Sequence, residues 1–178
     1  MDPVDAKSIL FKSLWENNER SLMLITFLRR FGWSLCRMGA LDLSENVNLL
    51  NEKYPNIIGA AAIGLANLDY EDFVKGNYFN IGKIYIDKKK ATYESLDLEK
   101  MTFLSGFGML DPRVYMYGYK ASKKGISGNM KGDGFQLGGT FIVDKKGNII
   151  FSYVQQSYTD HPTFENLKKS IEDYSKRL

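Results

Sequence analysis

The sequence of 178 residues predicts an α/β protein, in which a mixed β-sheet is covered by helices on both faces. Two observations lead to this prediction. Short apolar runs alternate with amphipathic stretches in the first half of the chain, which is typical of parallel βαβ units. Near the end, two β-rich runs flank Asp144-Lys-Lys-Gly-Asn148, a turn that predicts an antiparallel hairpin. At this length one domain, spanning residues 1–178, can bury a substantial core.

The first half of the chain supplies the parallel strands. Residues 22–28 are mostly apolar, contain β-branched and aromatic side chains and are too few for a helix, so they predict a buried strand. Residues 57–63 predict a second strand, whose small side chains suit close packing, and the alternating residues 83–87 predict a third. Between the first two strands, apolar residues recur at near-helical spacing and predict a helix: Leu35, Met38, Leu41, Val47, Leu50 and Tyr54.

Short helices and the hairpin complete the chain. Residues 69–75 resemble a helix that begins at an Asp cap, and residues 91–96 resemble another. The stretch 100–134 contains seven glycines and predicts a helical excursion around residues 114–117, followed by an irregular loop. The hairpin spans residues 140–154, and a last helix with one apolar stripe begins near Pro162.

Composition argues against several classes of protein. The net charge is only +3 and the lysines cluster beside turn residues, which does not fit a nucleic-acid-binding groove. No apolar run approaches the roughly 18 to 20 residues that cross a bilayer. The N-terminus lacks the basic and apolar regions of a signal peptide, and a single cysteine excludes an intrachain disulfide. We therefore expect a cytoplasmic protein with no membrane span and no nucleic-acid partner.

Cys36 is the candidate nucleophile. It lies where the first predicted strand gives way to the amphipathic helix. A thiol in the first turn of a helix faces unpaired backbone N–H groups and the positive end of the helix dipole, which stabilise the reactive thiolate. A lone cysteine can equally be a small buried hydrophobic residue, and both interpretations stay open. Arg29, Arg30 and Arg37 are nearby cations, and at most one of the first two can face the thiol because adjacent strand residues alternate.

His161 is the only histidine. A catalytic Cys–His pair would require it to reach Cys36, but it lies in a loop before the last predicted helix, and we interpret it as a surface residue. One cysteine and one histidine do not make a convincing zinc site, so no metal is expected.

Several separated segments of the chain, in the same order, resemble the peroxiredoxin-like 2 family, which has a thioredoxin-like fold. The likeness extends over nearly the whole chain. Its most specific segments are Leu28-Arg-Arg-Phe-Gly-Trp-Ser-Leu-Cys-Arg37, Asp42-Leu-Ser44, Ser127-Gly-Asn-Met-Lys-Gly-Asp-Gly134, Gly138-Gly-Thr-Phe-Ile-Val143 and Gln155-Gln-Ser-Tyr-Thr-Asp160.

One departure from the family concerns the strand–helix junction, which usually carries C-x-x-C. Here it reads Trp33-Ser-Leu-Cys36, so the first cysteine is absent and the pair cannot close an internal disulfide. In the register of typical peroxiredoxins, Cys36 takes the attacking position, and Trp33 replaces the threonine or serine that hydrogen-bonds the peroxide.

The resemblance implies one AhpC/TSA-type domain that reduces hydroperoxides or prostaglandin H2-type endoperoxides through Cys36. Thioredoxin or glutathione would be the reductant, NADPH would act only indirectly through a thioredoxin-type system, no cofactor would be bound, and a homodimer is compatible with it. The alternative is a degenerate binding or regulatory module in which Trp33 plugs a former active site. The positions that we assign to substrate contact or thiolate stabilisation are Trp33, Ser34, Arg37, Arg30, Gly139 and Thr140.

The loop before Thr140 is a second departure from the resemblance. It has neither the cis-proline of thioredoxins nor the arginine of many peroxiredoxins. Its glycines permit close approach of a substrate or partner backbone, or they form only a tight turn into the strand.

Overall fold

A computed structural model describes residues 11–98, 111–132 and 135–176. Five strands form one sheet in the order β3-β2-β1-β4-β5. The first three strands run parallel, β4 pairs antiparallel with β1, and β5 pairs antiparallel with β4. The predicted mixed sheet with a C-terminal hairpin is therefore confirmed. The strands are β1 (Leu22–Leu28), β2 (Ile58–Gly64), β3 (Gly82–Ile86), β4 (Gly139–Asp144) and β5 (Ile149–Val154).

Helices cover both faces of the sheet, as predicted. Helices α2, α3 and α6 pack on one face, around a core that includes Leu24 and Ile142. Helices α1 and α4 pack on the other face, around Ile25 and Phe27. The helices are α1 (Ser13–Glu16), α2 (Ser34–Lys53), α3 (Tyr70–Lys75), α4 (Ala91–Ser95), α5 (Pro112–Lys123) and α6 (Phe164–Ser175).

The central strand β1 explains where the site forms. All seven of its residues are buried, because helices cover it on both faces and strands flank it on both edges. A strand buried on both faces needs a nearly continuous apolar run, and residues 22–28 supply one that only Thr26 interrupts. Its carboxyl end leads within a few residues into the start of α2, so groups on that short connection meet at one edge of the sheet.

Helix boundaries show the main differences from the sequence prediction. The predicted excursion around residues 114–117 is a full helix, α5, because Asp111 accepts a hydrogen bond from the Arg113 backbone N–H and proline occupies the first turn. Asp69 precedes α3 as predicted, but its side chain forms no capping hydrogen bond. The last helix begins at Phe164, where Thr163 and Asn166 form a capping box.

The glycine-rich stretch is described only in part. Residues 99–110 and 133–134 lie outside the described residues, and the structure describes residues 111–132 of this stretch. There, Val114 and Ala121 of α5 pack toward α2. Among the helices described, none combines the length and the apolar character needed to span a membrane.

Candidate active site

Cys36 lies in the first turn of α2. Trp33 is the N-cap residue, and the first helical hydrogen bond runs from the Arg37 N–H to the Trp33 carbonyl over 3.0 Å. The N–H groups of residues 34–36 therefore precede the helical hydrogen-bond ladder, and the positive end of the helix dipole lies at the thiol. The side chain is only 4% exposed, yet it lines a cleft of about 330 Å³. This placement suits a nucleophile approached from one side.

Arg29 is the cation beside the thiol. Its Nη2 lies 3.7 Å from Cys36 Sγ and donates to the Tyr158 carbonyl over 3.1 Å. The guanidinium carbon lies 4.7 Å from the centre of the Trp33 ring and 5.0 Å from that of Tyr158, so two aromatic faces hold it. The residue is 4% exposed, and its Nε and Nη1 have no hydrogen-bond partner among the described residues. Two buried donors thus remain unused close to the sulfur.

Arg30 and Arg37, which the sequence analysis assigned to the site, are held elsewhere. Arg30 Nη1 donates to the Met130 carbonyl over 2.8 Å. Arg37 Nε donates to the Phe31 carbonyl, and its Nη1 donates to the Ser127 carbonyl, each over 2.8 Å. These contacts fasten the segment around residues 127–131 to the start of α2. Arg29 is therefore the arginine that contacts the Cys36 sulfur. The assignment of Arg30 and Arg37 to substrate contact or thiolate stabilisation stays a prediction.

Thr140 and Gly139, both assigned to the site, lie on opposite faces of β4. Thr140 lines the cleft, and its hydroxyl lies 3.1 Å from the hydroxyl of Thr26 on β1. A Cβ on Gly139 would instead point to the other face, 3.1 Å from Leu98. The neighbouring Gly138 packs its backbone against Phe27, where a Cβ would come within 2.0 Å of the carbonyl oxygen. Gly139 does not line the cleft, and its assignment to substrate contact or thiolate stabilisation stays a prediction. Gly138 is required because only a residue without a Cβ can approach the Phe27 backbone this closely.

Trp33 and Ser34 flank the entrance to the helix. Trp33 is buried and its ring meets the Tyr158 ring edge-on at 5.0 Å. It belongs to an apolar cluster that also contains Cys36, Leu35 and Tyr158. Ser34 is half-buried and does not line the cleft. Of the assigned residues, Trp33 therefore shares an apolar cluster with Cys36, and Thr140 shares the cleft with it.

His161 is the residue that sequence reasoning misplaced. Its ring is enclosed against Gly39 of α2, and its Nδ1 lies 2.9 Å from Gln155 Nε2. Burial, together with the positive charge of Arg29, lowers the pKa of His161 to about 4. The interpretation as a surface residue is wrong, because the loop before α6 folds back over α2. No local pattern marks this contact, since it joins residues more than 100 positions apart.

Helices α2 and α5 also contribute polar groups to the cleft. The Tyr117 hydroxyl donates to Asp42 over 2.6 Å, and burial, reinforced by this hydrogen bond, raises the pKa of Tyr117 far above its usual value. Within the described ranges, no cluster of three His, Cys, Asp or Glu side chains could hold a metal ion. The Cys36 thiol beside the unused Arg29 donors is an arrangement suited to thiol chemistry.

Comparison with known proteins identifies the family. The profile of the AhpC/TSA antioxidant enzyme family matches residues 42–157. Prostamide/prostaglandin F synthase of Xenopus tropicalis is 31% identical over 170 residues, which cover 94% of this chain and 81% of that protein. The human enzyme of the same name is 32% identical over 166 residues, covering 92% and 80%.

The chain belongs to the AhpC/TSA antioxidant enzyme family. The family profile begins after Cys36, but the alignments with the full-length relatives extend across the strand–helix junction. A mutant of Xanthomonas campestris peroxiredoxin Q superposes with a TM-score of 0.54 at 14% identity, covering 86% of this chain and 80% of that one. The reduced 2-Cys peroxiredoxin of Plasmodium vivax gives 0.52 at 12% identity, covering 92% and 77%. These structures show the thioredoxin-like fold, and membership of the family makes the chain a thiol oxidoreductase.

Proposed function

We propose that this protein reduces peroxide bonds, in hydroperoxides or lipid endoperoxides, through the single thiol of Cys36. The observation that carries the proposal is the pairing of Cys36 Sγ with Arg29 Nη2 at 3.7 Å in the first turn of α2. None of the ion pairs among the described residues includes Arg29. A buried cation is costly unless it is paired, and a Cys36 thiolate is the anion within its reach.

The reaction begins when the Cys36 thiolate attacks one oxygen of the peroxide. A sulfur–oxygen bond forms, the oxygen–oxygen bond breaks, and the departing oxygen takes a proton from water to become an alcohol. A hydroperoxide leaves Cys36 as a sulfenic acid. A cyclic endoperoxide leaves a sulfenate ester, with the new alcohol on the same molecule.

The return step needs two external thiols, because the chain has no second cysteine. The first thiol attacks the oxidised sulfur, releases water or the second alcohol, and forms a mixed disulfide. The second thiol frees Cys36 and leaves as the disulfide of the reductant. Thioredoxin and two molecules of glutathione both satisfy this balance, with NADPH consumed only in regenerating them and no cofactor bound here. The names of the prostamide/prostaglandin F synthase relatives support endoperoxides as substrates.

A second candidate function is a binding or regulatory module without catalysis. The burial of Cys36 in one cluster with Trp33 favours it, because a thiol that no reagent can reach does not react. The pH dependence of Cys36 alkylation separates the two. An ordinary thiol gains reactivity only as the pH approaches about 8.5, whereas an activated one reacts well below that.

The test combines alkylation with peroxide turnover. We expect wild-type protein to consume cumene hydroperoxide with thioredoxin or glutathione, and Cys36→Ser to lose this activity. Ser34→Ala is the matched control, because Ser34 lies in the same helical turn and does not line the cleft. Thiol-coupled turnover that survives Cys36→Ser would remove Cys36 from the mechanism. Alkylation only in denaturant, with no turnover, would establish the binding module.

A further inference from the structure

We propose that His161 contacts the substrate: its Nε2–H donates a hydrogen bond to the oxygen that departs when the peroxide bond breaks. The inference rests on the function proposed above and adds a residue to that site. Four observations support it, namely the position of the ring, its tautomer, its unused donor and the chemistry of the departing oxygen.

The His161 ring lies on the face of α2 that carries the thiol. A Cβ on Gly39 would come within 2.5 Å of both Cε1 and Nε2 of the ring. Gly39 follows Cys36 by three positions, and residues three apart are neighbours on a helix surface. His161 and Cys36 line the same cleft. The Nε2 edge of the ring therefore faces α2 at Gly39, one helical turn after Cys36.

Gln155 determines which ring nitrogen of His161 carries the proton. The Gln155 Oε1 accepts a hydrogen bond from the Gly138 N–H over 3.0 Å, which turns the Gln155 amino group toward His161. The Gln155 Nε2 lies 2.9 Å from His161 Nδ1, and an amide nitrogen can only donate a hydrogen bond. Nδ1 is therefore the acceptor, and the neutral ring carries its proton on Nε2.

The His161 Nε2–H has no acceptor in the part of the chain that the structure describes. The atom is buried and has no hydrogen-bond partner among the described residues. A buried donor without a partner is uncommon in folded proteins, and in a cleft it marks a place where a ligand completes the bond. Arg29 contributes two further unpartnered donors, Nε and Nη1. A ligand that brings oxygen lone pairs, as a peroxide does, satisfies donors of this kind.

The chemistry of the step uses a neutral donor. As the sulfur–oxygen bond forms, the departing oxygen gains negative charge, and a fixed N–H at that oxygen stabilises the charge as it develops. A neutral imidazole can donate such a hydrogen bond and keep its own proton. The proton that turns the departing oxygen into an alcohol comes from water. The family resemblance leads one to expect a threonine or serine hydroxyl that hydrogen-bonds the peroxide, but this chain has Trp33 at that position. His161 thus provides a hydrogen-bond donor in a site without that hydroxyl.

The first experiment compares two reactions of Cys36 in two variants. His161→Phe keeps a flat ring and removes the donor, whereas His161→Gln retains a donor. Oxidation by cumene hydroperoxide releases an oxygen, while alkylation by iodoacetamide releases iodide and reports only the reactivity and access of the thiol. We expect His161→Phe to slow oxidation about 10- to 100-fold, with alkylation changed less than about 3-fold, and His161→Gln to recover part of the loss.

The outcomes separate this inference from the proposed function. Equal changes in oxidation and alkylation, or unchanged oxidation in His161→Phe, overturn the role of His161 while the function of Cys36 stands. Wild-type protein that no peroxide oxidises overturns both.

A second measurement needs no variant. His161 is the only histidine, so protein labelled with ¹⁵N-histidine and made without a histidine tag gives a single pair of ring-nitrogen signals. We expect the proton on Nε2 at pH 7. A proton on Nδ1 would overturn the proposal even if His161→Phe fails to fold.

Discussion

Replacing Arg29 with methionine tests the electrostatic basis of the site. Methionine keeps much of the length and apolar bulk that fill the space between Trp33 and Tyr158, but it removes the charge beside Cys36. Two unit charges about 4 Å apart attract by about 4 kcal/mol at an effective dielectric constant of about 20. The Nη2–Sγ distance is 3.7 Å. Because the guanidinium charge is delocalised, the attraction of about 4 kcal/mol is an upper limit.

The expected loss of alkylation rate in Arg29→Met follows from the net free energy of a hydrogen bond to a charged group. A hydrogen bond to a charged group contributes about 1.5 to 3 kcal/mol, and about 1.4 kcal/mol corresponds to a factor of ten. We therefore expect Arg29→Met to slow alkylation of Cys36 by iodoacetamide at pH 7 by about 10- to 100-fold. Because Cys36 is the only thiol, intact mass after a timed reaction measures it without ambiguity.

Arg30→Met is the matched control for Arg29→Met. Arg30 is the next residue and also lies over the Trp33 ring, at 5.6 Å, but its Nη1 donates to backbone carbonyls. We expect this variant to change the alkylation rate by less than about 3-fold, and Arg29→Lys, which keeps the charge, to fall between the two. A wild-type rate in Arg29→Met across pH 6 to 9, or an equal loss in Arg30→Met, would refute the reasoning.

Three further predictions concern the same cleft. Trp33→Cys should form an intrachain disulfide with Cys36 under mild oxidant and raise turnover with thioredoxin, while loss of the buried ring costs about 3 kcal/mol in urea unfolding. When the pH falls from 7 to 4, the free energy of unfolding of the wild type should decrease by about 2 to 3 kcal/mol more than that of His161→Phe. The unfolded ring binds a proton near pH 6.5 and the folded ring only near 4, so this stability is present above pH 6.5 and lost as the pH falls toward 4. Gly39→Ala should destabilise the fold by about 1 to 3 kcal/mol by displacing the His161 ring, whereas Gly118→Ala, in an open helical position, should stabilise it by about 0.5 to 1 kcal/mol.

Each of these predictions has an outcome that contradicts it. No disulfide in Trp33→Cys would mean that the two positions are not arranged as the first turn of α2 requires. An identical pH dependence of the wild type and His161→Phe would contradict the buried neutral ring. Equal effects of alanine at Gly39 and Gly118 would show that the His161 ring does not lie against α2.

The sequence by itself determined the type and order of most elements and the place of Cys36. Residues 22–28 are apolar except for Thr26 because β1 is covered on both faces, and that pattern is local. The hairpin turn Asp144-Lys-Lys-Gly-Asn148 and the helical spacing after Gly32 are local signals too. Because Cys36 follows the strand closely and lies in the first turn of the helix, its position at the helix N-terminus could be predicted without any long-range contact.

Only the tertiary structure decided what surrounds the thiol. Three arginines lie within eight positions of Cys36, and spacing could not select among them. Arg29 is selected because it is held between Trp33 and Tyr158, and Tyr158 arrives from 129 positions away through the pairing of β4 and β5. His161 reaches α2 by the same route. Local patterns encode helices and strands, whereas the partners of a buried side chain depend on which distant segments the sheet brings together.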